Sequence, residues 1–197
     1  MNNLQEAILK ESKSNGEMVP SSDSPLERLV RAHTHQENLF LLPPNPKDVV
    51  FTPDNVARDM VNLFKPTGKI LEPSKGEGAL IKYLPSADWC EITEGRDFFT
   101  CDEKYDWIVG NPPYSIFADW LRHSFRLADD IVYLIPIIRC WVSSRIIKDI
   151  KGFGGIKMIA VYDEQNFKDW TINFAIGAVH FQRNYKGGCE VITRCVP

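Results

Sequence analysis

The sequence predicts a doubly wound α/β fold, a mostly parallel sheet with helices on both faces, and three observations carry that prediction. A short apolar strand, Lys69-Ile70-Leu71, runs into a Gly-rich loop, Glu72-Pro73-Ser74-Lys75-Gly76-Glu77-Gly78, and then into a helical stretch from Ala79 to Leu84; that order marks the first unit of such a sheet. Further strand candidates recur downstream, with helical spacing between several of them. The chain has 197 residues, enough for one domain to bury roughly 70% of its unfolded surface without a staple or a metal.

In chain order, residues 1–23 are polar and without sustained periodicity, which predicts a flexible tail. Ser24-Pro25-Leu26-Glu27 then opens a short helix whose Leu26, Leu29, Val30 and His33 share a face, and Leu41 to Pro46 make a stiff linker. These divide the chain into a tail (1–23), a short helix with a Pro-rich linker (24–46) and a main α/β domain (47–197). Within the domain, Thr52 is expected to cap a helix with Pro53 in its first turn and Val56, Met60, Val61 and Phe64 on its apolar face. Strands are expected at Trp89 to Ile92, Tyr105 to Val109, Ile131 to Ile135, Ile156 to Val161 and Phe174 to Phe181. Helices are expected at Ile116 to Leu127 and Val142 to Ile150, and Cys189 to Arg194 reads as a hairpin return.

The five cysteines form no C-x-x-C pair, and His33 and His35 stand two apart. That pattern predicts reduced thiols, a cytoplasmic setting and no metal site. No apolar run reaches the ~20 residues of a membrane span, and the first residues lack a signal peptide's apolar centre. The net charge of −3 excludes a generally basic coat but leaves room for a local basic patch.

Chemistry concentrates around YDWIVGNPPY, Tyr105 to Tyr114. An apolar run stops at Asn111-Pro112-Pro113-Tyr114, leaving an amide, carbonyls without neighbouring N–H donors and an aromatic face at a strand end. Such acceptors suit a planar ligand with an amino group; a Pro-rich turn plugged by a tyrosine fits the tetrapeptide as well. Gly76 and Gly78 permit close backbone approach to a ligand, with Glu72 and Ser74 beside them. Glu91, roughly 20 residues beyond Glu72 at the end of the second strand, matches the carboxylate that accepts from ribose hydroxyls; a solvated strand-end charge is the plain alternative. Asp97 and Phe98 offer an acceptor and a wall for a purine, or else a turn cap and a core residue.

Taken together, FTPDNVARDMV, ILEPSKGEGAL, CEI, RDFF and WIVGNPPYS resemble, in order and spacing, motifs X, I, II, III and IV of the S-adenosylmethionine-dependent amino-methyltransferases. The N6-adenine DNA methyltransferases with the gamma-like arrangement are the most similar group. The resemblance covers residues 51–183. It implies a Rossmann-like class I methyltransferase fold, seven strands in the order 3-2-1-4-5-7-6. It also implies that Thr52, Pro53, Glu72, Ser74, Gly76, Gly78, Glu91, Asp97, Phe98 and Asn111 surround S-adenosylmethionine. Asn111, Pro112, Pro113 and Tyr114 would hold the target, with Tyr114 stacked on an extruded adenine. RNA adenine N6, a protein glutamine amide and a non-catalytic partner subunit are the alternative readings. Two departures stand out: no room exists between Glu91 and Asp97 for the usual connecting helix, and nothing after the catalytic domain is large enough to be a target-recognition domain. DNA is the expected partner, RNA a possible one, together with a protein supplying target recognition. Arg139, Trp141, Arg145, Lys148 and Lys151 match phosphate contacts plus stacking, or an ordinary solvated helix face.

Overall fold

The computed structural model describes residues 50–168, 170 and 174–197; the tail, first helix and linker expected over 1–46, and Asn173, lie outside them. Helix α1, Asp54–Phe64, places Val56, Ala57 and Met60 on its buried side. Pro53 occupies its cap, not Thr52: no side chain caps the helix, and the Pro53 carbonyl accepts from the Ala57 N–H at 2.9 Å. Lys65 closes it in a left-handed conformation, φ 46°.

Seven strands follow: β1 Ile70–Glu72, β2 Asp88–Trp89, β3 Tyr105–Gly110, β4 Ala128–Pro136, β5 Gly154–Tyr162, β6 Ile176–Arg183 and β7 Glu190–Arg194. They form one sheet in the order β2-β1-β3-β4-β6-β5-β7, with only β6 running against the others. Helix α2, Phe117–Leu127, and helix α3, Ser144–Phe153, cover one face. The alternation along β4 divides the core between the two faces, as the pleat requires. Ile131, Tyr133 and Ile135 join Leu121 of α2 and Ile146 of α3 on one side. Val132 and Leu134 join Val56 and Met60 of α1 on the other.

The fold is the expected Rossmann-like sheet, but its edges differ from the expected strand order. Only Ile92–Arg96 separates Glu91 from Asp97, too short for a crossover helix, and two 3-10 turns, Ile92–Glu94 and Phe98–Thr100, fill the connection. The outermost strand on that side is therefore missing and β2 is the edge. At the other edge, Glu190–Arg194 is not a hairpin partner of β6. The chain turns over the end of β5 and pairs parallel with it, Ile159 opposite Val191, anchored by a bidentate pairing of Arg194 with Asp59 of α1. The helix expected over Ala79 to Leu84 is a single turn of mixed bonds, Leu84 N–H reaching both Leu80 and Ile81 carbonyls. Gly78 and Pro85 leave it too few residues to propagate. No helix among the described residues is long and apolar enough to cross a membrane.

Candidate functional site

Parallel pairing of β1 with β3, Leu71 opposite Ile108, brings their carboxyl ends side by side. Glu72 ends one strand and Asn111 follows the other, and both line a cleft of about 370 Å³, within the range of small-ligand sites. Thr52, Ser74, Gly76 and Gly78 line it as well. Gly76 and Gly78 sit at φ +50° and +81°, a region glycine enters freely. The loop is tied down on both sides: Ser74 Oγ donates to the Asn111 carbonyl at 2.9 Å, and Lys75 N–H donates to the Cys90 carbonyl at 2.9 Å.

Glu72 is 2% exposed, and its Oε2 has no hydrogen-bond partner among the described residues. Burial pushes its carboxyl up to about 8, against the opposing pull of the Ile81 N–H and Lys75. A buried carboxyl oxygen with no partner, on the wall of a cleft, is a place for a donor or cation from a ligand. S-adenosylmethionine carries such a cation. Its ammonium group suits Glu72, and the left-handed glycines let backbone approach it, so the residues fit the cofactor.

Asn111 is held from three directions. Its Nδ2 donates to the Val50 carbonyl at 2.8 Å, its Oδ1 accepts from Tyr114 Oη at 2.9 Å, and its carbonyl takes the Ser74 hydroxyl. The amide is thereby fixed with its oxygen toward Tyr114, and that oxygen keeps a second lone pair. Tyr114, expected as an exposed stacking platform, is 5% exposed and belongs to the core. The 3-10 turn Tyr114–Ile116 leads straight into α2 and carries the ring under the sheet edge.

The remaining expected cofactor residues are placed apart from the cleft lining. Pro53 caps α1. Glu91 Oε2 accepts from the Gly76 N–H at 2.9 Å, and its Oε1 accepts from the Thr93 N–H and hydroxyl. Burial works to raise its carboxyl, but these bonds outweigh it and hold the group below its ordinary value. Asp97 caps the turn that follows it, accepting from Phe99 N–H at 2.9 Å. Phe98 is 2% exposed and packs 4.5 Å from Trp120, ring centre to ring centre, so it is a core residue and not a wall of the cleft. Residues the sequence reading missed also line the cleft: Phe51, half exposed, and the cations Lys75 and Lys82. Lys75 stands 4.0 Å over the Trp89 ring and pairs with Glu94.

Arg139 lies in the 3-10 turn Ile137–Cys140 at the carboxyl end of β4, and Trp141 follows it with 47% of its surface exposed. Both sit at the same sheet edge as Asn111. Helix α3 runs back toward the start of β5, carrying Lys151 about 9 Å beyond Arg145 along its axis. None of Arg139, Arg145, Lys148 and Lys151 makes an ion pair among the described residues, whereas Asp149, the acid among them, is taken by Arg122 at 2.7 Å.

A larger hollow of about 720 Å³ opens at the amino end of the sheet, by Tyr105, Phe125 and Arg183. Its charges are spent internally, Arg183 on Asp129 at 2.5 Å, and none of the unpartnered buried atoms lines it.

No protein-family model and no curated protein is matched by this sequence. Solved structures are. One is a protein assigned to the class I S-adenosylmethionine-dependent methyltransferases from Listeria monocytogenes, with TM-score 0.60 and 14% identity over 85% of this chain and 72% of that one. The chain has the class I methyltransferase fold. A component of a type I restriction-modification system matches over all of this chain and 58% of its own, with TM-score 0.54 and 13% identity. A chain of the DrdV–DNA complex matches over 98% of this chain and 33% of its own, with TM-score 0.50 and 12% identity. This chain thus spans only part of the length of both of these proteins. In the class I frame, the cleft between the carboxyl ends of β1 and β3 occupies the crevice where open α/β sheets take their ligands.

Proposed function

We propose that this chain is an S-adenosylmethionine-dependent methyltransferase acting on the exocyclic N6 of an unpaired or extruded adenine in DNA. The observation that carries the proposal is the placement of an unpartnered buried carboxyl, Glu72, and an orientation-locked amide, Asn111, on the walls of one cleft. The fold shared with a restriction-modification component and with a DNA-bound protein supports a nucleic-acid substrate. So do the uncompensated cations and the exposed Trp141 at the same sheet edge.

In this reading Glu72 would hold the ammonium of the cofactor, and the Ser74 to Gly78 loop on the same cleft would hold its methionine portion. Bound S-adenosylmethionine supplies an electrophilic methyl on sulfur. An adenine amino nitrogen is a poor nucleophile because its lone pair is delocalised into the ring. Asn111 Oδ1 and the Pro112 carbonyl accept the two amino hydrogens, which favours a pyramidal nitrogen with its lone pair free to attack. Pro112 and Pro113 fix the carbonyls and bring no competing N–H. Tyr114 steadies Asn111 Oδ1 in place of stacking on the base, and the stacking surface falls to Trp141 at the rim. The rate gain is one of positioning and electrostatics.

The experiment is transfer of labelled methyl from S-adenosylmethionine to separate DNA, RNA and protein pools, followed by nucleoside and amino-acid analysis. N6-methyladenine in DNA is the expected product. Label confined to protein glutamine, or to RNA, overturns the DNA reading, and no label in any pool favours a non-catalytic subunit.

A further inference from the structure

Cys90 and Cys101 bracket the connection that replaces the missing strand, and their sulfurs lie 3.1 Å apart. Both are free thiols. A disulfide needs a sulfur separation of about 2.05 Å, so closure asks for a movement of about 1 Å. Both backbones are held. Cys90 N–H donates to the Glu72 carbonyl at 2.8 Å, its carbonyl accepts from Lys75 N–H, and Cys101 N–H donates to the Phe98 carbonyl at 3.0 Å. The two Cα positions are thereby held at a separation that keeps the sulfurs within reach of each other. Neither thiol has a part in the proposed methyl transfer.

We propose that Cys90 and Cys101 are a peroxide-responsive dithiol, a modification site that closes to a disulfide behind the Gly-rich loop. Their exposures divide the roles. Cys101 is partly exposed and meets the oxidant, while Cys90 is 3% exposed. Burial, reinforced by the neighbouring Cys101 sulfur, pushes the Cys90 thiol up to about 12, so Cys90 is not the thiol that meets the peroxide; its place in the second step rests on its contact with the Cys101 sulfur. The Cys101 sulfur attacks one oxygen of a peroxide, the O–O bond breaks, and the other oxygen leaves as water or an alcohol; Cys101 is now a sulfenic acid. The Cys90 sulfur then attacks the Cys101 sulfur, the S–O bond breaks, and the hydroxyl departs as water with the proton from Cys90. Two thiols lose two electrons to the peroxide, and a thiol reductant reverses the change.

Arg96 lies between the two cysteines, so trypsin separates peptides 83–96 and 97–104, and only a disulfide holds them together. The full chain is treated with hydrogen peroxide, its remaining thiols are alkylated, and it is digested and analysed by mass spectrometry with and without dithiothreitol. Most of the two peptides are expected to travel as one species, lighter by two hydrogens and split by dithiothreitol, while buried Cys140 stays alkylatable only on unfolding. In Cys90→Ser a sulfenic-acid trap such as dimedone is expected to label position 101; in Cys101→Ser no linked peptide and no label at position 90 are expected. Peroxide-treated wild type whose Cys90 and Cys101 remain separate overturns the proposal, whether they are recovered as thiols or with Cys101 held as a stable sulfenic acid.

Discussion

Tyr114 Oη donates to Asn111 Oδ1 at 2.9 Å while the nitrogen of the same amide donates to the Val50 carbonyl at 2.8 Å. The two bonds fix the orientation of the amide, so in the proposed reaction the tyrosine acts through its hydroxyl. Tyr114→Phe keeps the buried ring and removes the hydroxyl, with its bond to Asn111 Oδ1 and its longer contact, 3.4 Å, with the Leu134 carbonyl. Stability is expected to fall by only about 1 kcal/mol. Turnover is expected to fall on the order of 10- to 100-fold through misorientation of Asn111, with cofactor affinity unchanged. A stacking role predicts instead that phenylalanine serves as well as tyrosine. Single-turnover rates and equilibrium binding of S-adenosylmethionine, measured on the same preparation, separate the two.

Asn111→Ala removes the acceptor itself. The cleft wall loses a few atoms and Glu72 is untouched, so binding of S-adenosylmethionine is expected to persist. Methyl transfer is expected to drop by roughly 100-fold or more, the scale of losing a positioned electrostatic partner. Full activity in this variant would mean that Asn-Pro-Pro-Tyr is only a turn.

In the proposed reading Glu72 sets function against stability. Its ordinary value is 4.5, and burial raises it to about 8 in the folded chain. Between those values the unfolded chain releases a proton that the folded chain keeps, so the folded state binds more protons and loses stability as pH rises from about 4.5 to 8. Above that range the loss levels off. Glu72→Gln cannot ionise and is expected to be more stable than wild type at pH 8, by on the order of 4 kcal/mol, with the difference vanishing toward pH 4.5. The same variant lacks the anionic partner for an ammonium, and its affinity for S-adenosylmethionine is expected to fall at least ~10-fold. Denaturant titrations at several pH values and calorimetric binding test both halves.

The meeting of Glu72 with Asn111 is legible in the sequence because each residue follows an apolar strand in a sheet whose strands run parallel. Two such ends must then share an edge. The burial of Tyr114 and Phe98 is not legible in the same way. An aromatic beside a motif points inward or outward according to what surrounds it, and here Trp120 of α2 and the face of β4 enclose both. Glu91 and Asp97 were expected on a ligand for their residue type and spacing. The short connection between them leaves loop N–H groups without strand partners, and the carboxylates satisfy those. The place of β7 escapes sequence periodicity for a related reason: a hairpin and a step across β5 need the same turn, and the choice rests on Asp59, far away in sequence, receiving Arg194.

The cationic edge separates a substrate role from an ordinary solvated surface. If Arg139 and Arg145 meet phosphates, replacing each by alanine is expected to weaken oligonucleotide binding and lower the salt slope of log K by about 0.7 to 0.9 for each phosphate left without its arginine. Trp141→Ala is expected to cost ~1–3 kcal/mol in binding to single-stranded oligonucleotide while leaving the salt slope alone. Lys151, farther down α3, is expected to matter less than Arg145. Fluorescence anisotropy over a range of salt reads all four variants, and slopes equal to wild type would return these residues to an ordinary helix face.

Gly78→Ala isolates the loop conformation from any steric effect. A Cβ at position 78 meets nothing within 4 Å, yet the backbone sits at φ +81°. The whole penalty is therefore conformational, on the order of 1–2 kcal/mol. The substitution either destabilises the fold by that amount or lets the loop relax out of its left-handed turn. Relaxation moves Gly76 and Ser74 away from the cleft and costs cofactor affinity in place of stability. Because Ser74 and Lys75 are hydrogen-bonded to Asn111 and Cys90, the flanks resist relaxation. The expected result is a lower unfolding midpoint with affinity for S-adenosylmethionine within about threefold of wild type, the residual cost of small loop shifts. Calorimetric binding alongside thermal unfolding decides it, and a large loss of affinity at unchanged stability would show that the loop is held more weakly than those bonds imply.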